Sequence, residues 1–351
     1  MTAPRGPWWA SHWLRPFNDV EALDDLLSLV RATWSLSRIR AQLVAVRDET
    51  PELRTFVLRP NWRWRGFRPG QHVVLELDIA GVRHYRSFSI ASAPGARTIE
   101  ITVQRSGKVT RWMHDHWRVG SAVTLSRAGG GFVLPAASGP LLLVSAGSGI
   151  TPVMSMLRTL AVQRPDADVV LVHSCRTPDD LPFARELRAI VQRMPGLRLQ
   201  LHYSAPLGRL TPRGIAGCVP DFAGRDAFVC GPAAFMEAVA AHWQAEGCAH
   251  RLHRESFGAP IVAARAGAAV RVLAARSSKE FSGGAQALLV EAEAAGLSPR
   301  HGCRIGICQS CKCRKTRGTV ENLLTGRVSA EPGEWIQLCV SAARTDVVLE
   351  I

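Results

Sequence analysis

Three spacings of apolar residues succeed one another along the chain. Near the N-terminus Val20, Leu23, Leu27, Val30 and Trp34 recur at gaps of three and four, with Asp24, Asp25 and Arg31 off the stripe. That is the period of an amphipathic helix, and Asn18-Asp-Val-Glu21 ahead of it has capping-box character. The helix either packs on the next domain or, with Trp8, Trp9 and Trp13, docks on a partner or a membrane. From Ala41 to about Pro135 the pattern turns to short β-rich runs. These are Leu43–Val46, Thr55–Leu58, Val73–Leu77, Thr98–Val103 and Ala122–Leu125, broken by Gly and Pro turns and by one helix near Thr110–Trp117. Short, regularly spaced strands predict an antiparallel barrel. From Leu141 to about Phe257 buried-strand runs (Leu141–Ala146, Val169–His173, Arg198–His202, Ala227–Cys230) alternate with helical stretches near 152–163, 179–193 and 232–246. That alternation predicts a parallel α/β sheet.

The expected organisation is multidomain: an N-terminal helical extension (1–38), an antiparallel β-barrel (39–136), an α/β domain (137–258), a small-residue linker (259–267) and a C-terminal domain (268–351). A chain of 351 residues, 47% apolar, has ample core for this. No run of about eighteen uncharged apolar residues is present to span a membrane. The first residues lack the apolar centre of a signal peptide, so a cytoplasmic location is expected, with peripheral contact at the inner membrane face through residues 1–38. The net charge of +14 comes mostly from dispersed Arg. Without base-stacking or groove-reading motifs it does not point to nucleic acid. It suits nucleotide phosphates, an acidic partner or an anionic membrane.

The C-terminal domain carries the most specific motif. Cys303, Cys308 and Cys311 are spaced C-x4-C-x2-C, and Cys339 follows in Gln337-Leu-Cys339. This is the spacing of a plant-type [2Fe–2S] loop. Gly306 lets the backbone pass close to the inorganic sulfides. A structural zinc site usually shows two short ligand pairs, which fits less well. Cys313 is read as a bystander, because using it for Cys311 would break the spacing. Cys175, Cys218, Cys230 and Cys248 are scattered, as in a reducing compartment.

Four further motifs suit nucleotide chemistry. Gly147-Ser-Gly149-Ile-Thr151-Pro152 closes a strand and opens a helix, where backbone N–H groups and the helix dipole favour phosphate. Cys230-Gly231-Pro232 ends a later strand at the sheet edge where nucleotides bind; a buried Cys and a helix-start Pro is the plainer reading. Arg86-Ser-Phe88-Ser89 ends a strand inside the barrel region and offers a guanidinium for phosphate, a flat ring for stacking and a hydroxyl, although ordinary strand alternation also explains Phe88. Gly107-Lys-Val109-Thr110 is a second phosphate cradle or simply an N-cap by Thr110. Ser174 and Arg176 follow the strand ending at His173 and favour a 2′-phosphate, hence NADPH, with NADH possible.

With Pro69-Gly-Gln-His72, these motifs stand in the order of the ferredoxin–NADP reductase superfamily, which residues 39–257 resemble. Residues 268–351 are similar to a plant-type ferredoxin domain, a β-grasp α+β fold. The resemblance implies FAD in the barrel, with Arg86 and Thr110 near its phosphates, Phe88 on the ring and Ser89 near N5. Some fused relatives use FMN, but the Gly107–Thr110 cradle favours a diphosphate. Phe88 stands where the family motif has Tyr, so no phenol hydroxyl is available there. The nicotinamide nucleotide would lie across Gly147–Pro152 and Cys230–Pro232, and Glu255 would sit close to the flavin as a proton partner. Ser89, Cys230 and Glu255 are thus the expected catalytic residues.

The expected activity is electron relay from NADPH through FAD and [2Fe–2S] to an external acceptor. A basic collar (Arg300, Arg304, Lys312, Arg314, Lys315, Arg317) predicts an acidic one. The N-terminal extension resembles that of reductases serving membrane fatty-acid desaturases, which favours a membrane di-iron desaturase or hydroxylase as acceptor. A Rieske or cytochrome P450 oxygenase is the alternative. A redox sensor without turnover, or a plain flavin reductase, are the other classes to weigh.

Overall fold

The computed structural model describes residues 20–136, 139–255, 269–302, 304, 306 and 309–351. Trp8, Trp9, Trp13, the proposed cap at Asn18, the 259–267 linker and the cluster residues Cys303 and Cys308 lie outside the described residues. The chain divides after Phe257 into two compact units.

The first helix, α1 (Val20–Val30), departs from the expected stripe. It stops before Trp34, so that residue is not on it. Val20 and Val30 are 53% and 75% exposed, whereas Asp24, expected on the polar side, is 5% exposed. Asp24 is drawn in because the chain turns back over it. Its carboxylate accepts hydrogen bonds from the Ser35 hydroxyl (2.7 Å) and from the Leu36 and Ser37 amides. Burial alone would raise its pKa; the bonds from Ser37, Leu36 and Ser35 outweigh burial and hold it down to about 2.

Strands β1 (Ile39–Asp48), β2 (Leu53–Pro60), β3 (His72–Ile79), β4 (Val82–Ser89), β5 (Ile99–Gln104) and β6 (Ala122–Leu125) form one antiparallel sheet in the order β4-β3-β6-β1-β2-β5. A bridge between Ile90 and Ile101 brings the two edges together, curling the sheet into the predicted barrel. Inward alternation explains its core of Leu43, Phe56, Leu58, Val73, Leu75 and Ile101. Helix α2 (Lys108–His116) closes one end with Val109 and Met113.

Five parallel strands follow: β7 (Leu141–Ala146), β8 (Val169–Cys175), β9 (Leu197–Tyr203), β10 (Asp226–Cys230) and β11 (Leu252–Glu255), ordered β11-β10-β7-β8-β9. Helices α3 (Ile150–Gln163), α4 (Ala184–Arg193) and α5 (Ala233–Ala245) are among their crossovers. The last of these strands was not expected. The helix foreseen from 179 begins at 184, because Pro178–Asp180 forms a tighter turn and Phe183 adopts φ +57°. A topological switch falls between β7 and β10, whose carboxyl ends lie side by side.

Arg158 on α3 fastens barrel to parallel sheet. Its guanidinium donates to both oxygens of Glu186 (2.7 and 2.6 Å), to Glu100 of β5 (2.8 Å) and to the Ala91 carbonyl (2.7 Å). Burial works against its charge, but Glu186 and Glu100 outweigh it and raise its pKa. An Arg158→Ala protein should lose about 3 kcal/mol of stability, since Glu186 and the Ala91 carbonyl would lose their donor and Glu100 would keep only the more exposed Arg47, at 2.8 Å. Thermal unfolding of the N-terminal unit would then shift down by roughly 6–12 °C; a shift within error would reduce the network to surface pairing.

In the second unit β12 (Val270–Ala274), β13 (Lys279–Gly283), β14 (Lys312–Arg317), β17 (Trp335–Gln337) and β19 (Val347–Leu349) form a mixed sheet in the order β13-β12-β19-β14-β17. A smaller sheet joins β15 (Val320–Asn322), β16 (Val328–Ser329) and β18 (Ser341–Ala343). Helix α6 (Leu288–Ala294) packs Leu288, Leu289 and Ala292 into the same core. This is the α+β arrangement expected of the ferredoxin-type domain.

Candidate active site and cluster loop

The barrel's nucleotide cleft, about 270 Å³, is lined by Arg86–Ser89, Thr102–Gln104, Ser106–Thr110, Ser148 and Thr151. It therefore brings together motifs from β4, α2 and the turn after β7. Gly107 is the N-cap of α2, not Thr110. The Thr110 oxygen instead accepts the Gly107 amide (2.9 Å) and the Ser106 amide (3.1 Å). Thr110 thus shapes the loop from within the first turn, and the amides free to meet phosphate are those of Lys108 and Val109. The Val109 side chain itself is core. Arg86 is exposed at the cleft and donates to the Tyr85 carbonyl at 2.7 Å. The field there is positive: the His84 pKa is lowered by burial and then by Lys108 and Arg86. Two cations, a helix N-terminus and the half-buried Phe88 ring form a donor set that fits a flavin diphosphate.

The two glycines after β7 differ in their reasons. Gly147 has φ +55° and open space around its missing Cβ, which suits close approach of a ligand. A Cβ on Gly149 would stand 2.2 Å from the Cys230 carbonyl oxygen, so that glycine is required by packing of the β7 turn on β10. Thr151 donates to the Ser148 carbonyl (3.1 Å) and, like Pro152, is buried in the first turn of α3. Gly231 packs its missing Cβ position against Ala146 at 3.1 Å. Pro232 then caps α5.

Ser89, Glu255 and Cys230 do come together. The Ser89 hydroxyl donates to Glu255 Oε2 at 3.0 Å. Cys230 and Glu255 are register partners on β10 and β11. The Cys230 thiol is fully buried; burial and then the Glu255 charge push its pKa well up, so it stays protonated. A fourth member was missed. His72 Nδ1 lies 3.1 Å from Glu255 Oε1, and the His72 and Glu255 side chains are 12% and 10% exposed. His72 was visible only as the end of Pro69-Gly-Gln-His72; 183 residues separate it from its partner.

The two residues expected to select the nucleotide differ in exposure. Ser174 is buried at 7%. The Arg176 side chain is 73% exposed and binds Asp180 through Nε and Nη2, both at 3.1 Å.

In the cluster loop, Cys311 and Cys339 are buried with sulfurs 3.2 Å apart. The Leu338 amide donates to the Cys311 carbonyl (3.2 Å), and Gln337 Nε2 holds the Gly306 carbonyl (2.6 Å). Gly306 has φ +78°, with Val340 3.1 Å from where a Cβ would be. Converging soft donors in a preshaped loop fit an iron–sulfur core. Cys313 is core, and burial pushes its thiol up to about 12. The basic collar needs one correction. Lys315 is fully buried, donating to the Gly318 (2.7 Å) and Glu331 (2.8 Å) carbonyls, because β14 alternation turns it inward. Arg304 is engaged by Glu293 (2.7 Å).

Two family models match this chain: an oxidoreductase NAD-binding domain over residues 143–241 and a 2Fe-2S iron-sulfur cluster binding domain over 274–344. The chain is 39% identical to an NADPH oxidoreductase of Mycobacterium tuberculosis, over 93% of this chain and 88% of that one. It is 32% identical to the glycine betaine monooxygenase reductase subunit of Chromohalobacter salexigens, over 91% and 96%. Its fold matches phthalate dioxygenase reductase, described as a modular structure for electron transfer from pyridine nucleotides to [2Fe–2S], with TM-score 0.55 and 23% identity over 90% of this chain and 98% of that one. The chain therefore belongs to the ferredoxin–NADP reductase superfamily, as an NAD(P)H-dependent oxidoreductase that carries FAD and a [2Fe–2S] domain on one polypeptide.

Proposed function

We propose that this reductase takes hydride from NADPH and delivers single electrons to an external oxygen-activating enzyme. Bound FAD supplies the exchange of a two-electron donor for single electrons, and the [2Fe–2S] cluster carries them onward one at a time. The observation that carries the reading is the Ser89–Glu255–His72 chain of hydrogen bonds at the mouth formed by β4, β10 and β11. Ser89 presents an oriented hydroxyl to the reacting face. Glu255, kept largely from water, fixes that hydroxyl and can hold a proton. His72 fixes the carboxylate in turn. Cys230 adds a neutral wall that excludes water.

The acceptor is a monooxygenase of the kind whose reductase subunits this chain resembles. A second reading, a membrane-bound di-iron desaturase or hydroxylase as acceptor, has one observation in its favour: α1 leaves Leu26, Leu29 and Val30 exposed. An acidic docking surface on the acceptor would suit Lys312 and Arg314 beside the cluster loop.

NADPH is preferred because Arg176 stands at the carboxyl end of β8 and because the Mycobacterium tuberculosis relative is named for it. Asp180 shares that guanidinium, so the preference is moderate. Anaerobic titration with each nucleotide tests the whole reading. NADPH should bleach flavin and cluster absorbance together. Arg176→Ala should raise the KM for NADPH about tenfold and leave NADH unchanged. Bleaching of flavin without the cluster would remove the relay, and equal effects on both nucleotides would remove Arg176 from the site.

A further inference from the structure

A second basic pocket, of about 460 Å³, lies on the barrel and shares no lining residue with the flavin cleft. Arg38, Arg63, Arg65, Arg83 and Arg127 line it against a single carboxylate, Glu76. Glu76 reaches only Arg83, at 3.7 Å. The electron relay uses none of these groups. At the pocket's rim stands Trp62, 63% exposed, with the Arg63 guanidinium 5.2 Å from its ring centre.

The exposed apolar residues continue from that rim. Arg63 also donates to the Leu36 carbonyl, and Arg40 to the Ala32 carbonyl at 3.1 Å, so the segment after α1 is pinned beside the arginines. Leu36 and Trp34 are each 45% exposed there. On α1 itself Leu26, Leu29 and Val30 fall on one face at i, i+3 and i+4, exposed by 48%, 82% and 75%. Exposed aliphatic side chains, two tryptophans and a cluster of guanidinium groups are thus linked through the Arg40–Ala32 and Arg63–Leu36 bonds.

The geometry points to an anionic lipid surface as the occupant of this face. A guanidinium cluster takes phosphodiester oxygens bidentately. An exposed tryptophan paired with a cation suits the headgroup level, and the Leu26–Leu29–Val30 face suits the acyl boundary just beneath. Among the described residues no helix is long and apolar enough to cross a membrane. With 11 residues, α1 would lie in the interface plane. A folded protein partner could match the charge, but it would have to supply an apolar groove for three staggered aliphatics beside an acidic ridge.

The full-length holoprotein should be co-sedimented with phosphatidylglycerol–phosphatidylcholine vesicles and with pure phosphatidylcholine vesicles. Binding to the anionic vesicles should be at least about tenfold tighter and should fade with added salt. Arg65→Glu and, separately, Leu29→Asp should each weaken it about tenfold. Both sites are exposed, so NADPH-dependent ferricyanide reduction should be unchanged and reports folding and the relay independently of vesicle binding. Glycerol phosphate should not displace the vesicles. Equal binding to both vesicle types, no binding, insensitivity to either substitution, or displacement by glycerol phosphate would each overturn the proposal, the last in favour of a soluble phosphate ligand.

Discussion

Glu255→Gln should slow single-turnover oxidation of NADPH about a hundredfold, within the range that a positioned acid–base group contributes. The substitution is nearly isosteric. The amide oxygen can still accept the Ser89 hydroxyl, now 3.0 Å from Glu255 Oε2. What is lost is the charge and the capacity to exchange a proton. The site gives that loss weight, because the Glu255 side chain is 10% exposed and the His72 side chain 12%, leaving little water to substitute. NADPH affinity should change little, since the glycine turn after β7 is untouched. Stopped-flow bleaching of the flavin on mixing with NADPH measures the step directly. Ser89→Ala should give a similar loss, and the double variant little more than either alone, because the two residues act as one unit. A rate within threefold of the parent protein, with an unchanged flavin spectrum, would make Glu255 a structural ligand of Ser89 and His72 only.

The strands of the barrel and of the parallel sheet were legible wherever apolar residues set the period. Thr55–Leu58 and Val169–His173 are buried runs, and the chain folds them as such. β11 was missed and β4 was read only at its Arg86–Ser89 end, for a common reason. Each closes one end of its sheet, and Val82-Arg-His-Tyr-Arg and Leu252-His-Arg-Glu carry the polar composition that sheet edges tolerate. The miss mattered at β11, which delivers Glu255; the end of β4 that delivers Ser89 was legible. His72 shows a second limit. A histidine at the end of a turn motif has no visible partner until tertiary structure brings β3 against β11. Asp24 and Lys315 show a third. Charge predicted exposure for both, yet each is drawn inward to satisfy backbone groups that no local pattern reveals. The cysteine spacing worked because one loop must supply converging ligands, so sequence distance stands in for geometry. The glycines of that turn divide: Gly147 leaves open space at its missing Cβ, whereas Gly149 answers to the Cys230 carbonyl.

Cys311→Ser should abolish transfer to one-electron protein acceptors while sparing the flavin half-reaction. The Cys311 sulfur sits 3.2 Å from that of Cys339, and its carbonyl takes the Leu338 amide, so it couples the ligand loop to the strand end that bears the fourth thiolate. A serine oxygen is a harder and far less acidic ligand than a thiolate. NADPH-driven reduction of cytochrome c should fall by roughly a hundredfold or more as the cluster is lost. Ferricyanide can accept from the flavin directly, and its reduction should stay within about twofold. Iron content and the visible spectrum report the cluster independently of either rate. Calorimetry adds a separate readout. Cys311, Cys313 and Cys339 all belong to the core of the C-terminal unit, so its transition should move down while that of the N-terminal unit stays in place. Cys313→Ala supplies the control: it removes a neighbouring buried sulfur and costs stability, but should leave iron content and cytochrome c reduction intact. If Cys313→Ala lost the cluster and Cys311→Ser kept it, the ligand assignment would be reversed. If Cys311→Ser lost the cluster yet reduced cytochrome c at full rate, electrons would leave from the flavin and the C-terminal unit would lie off the path.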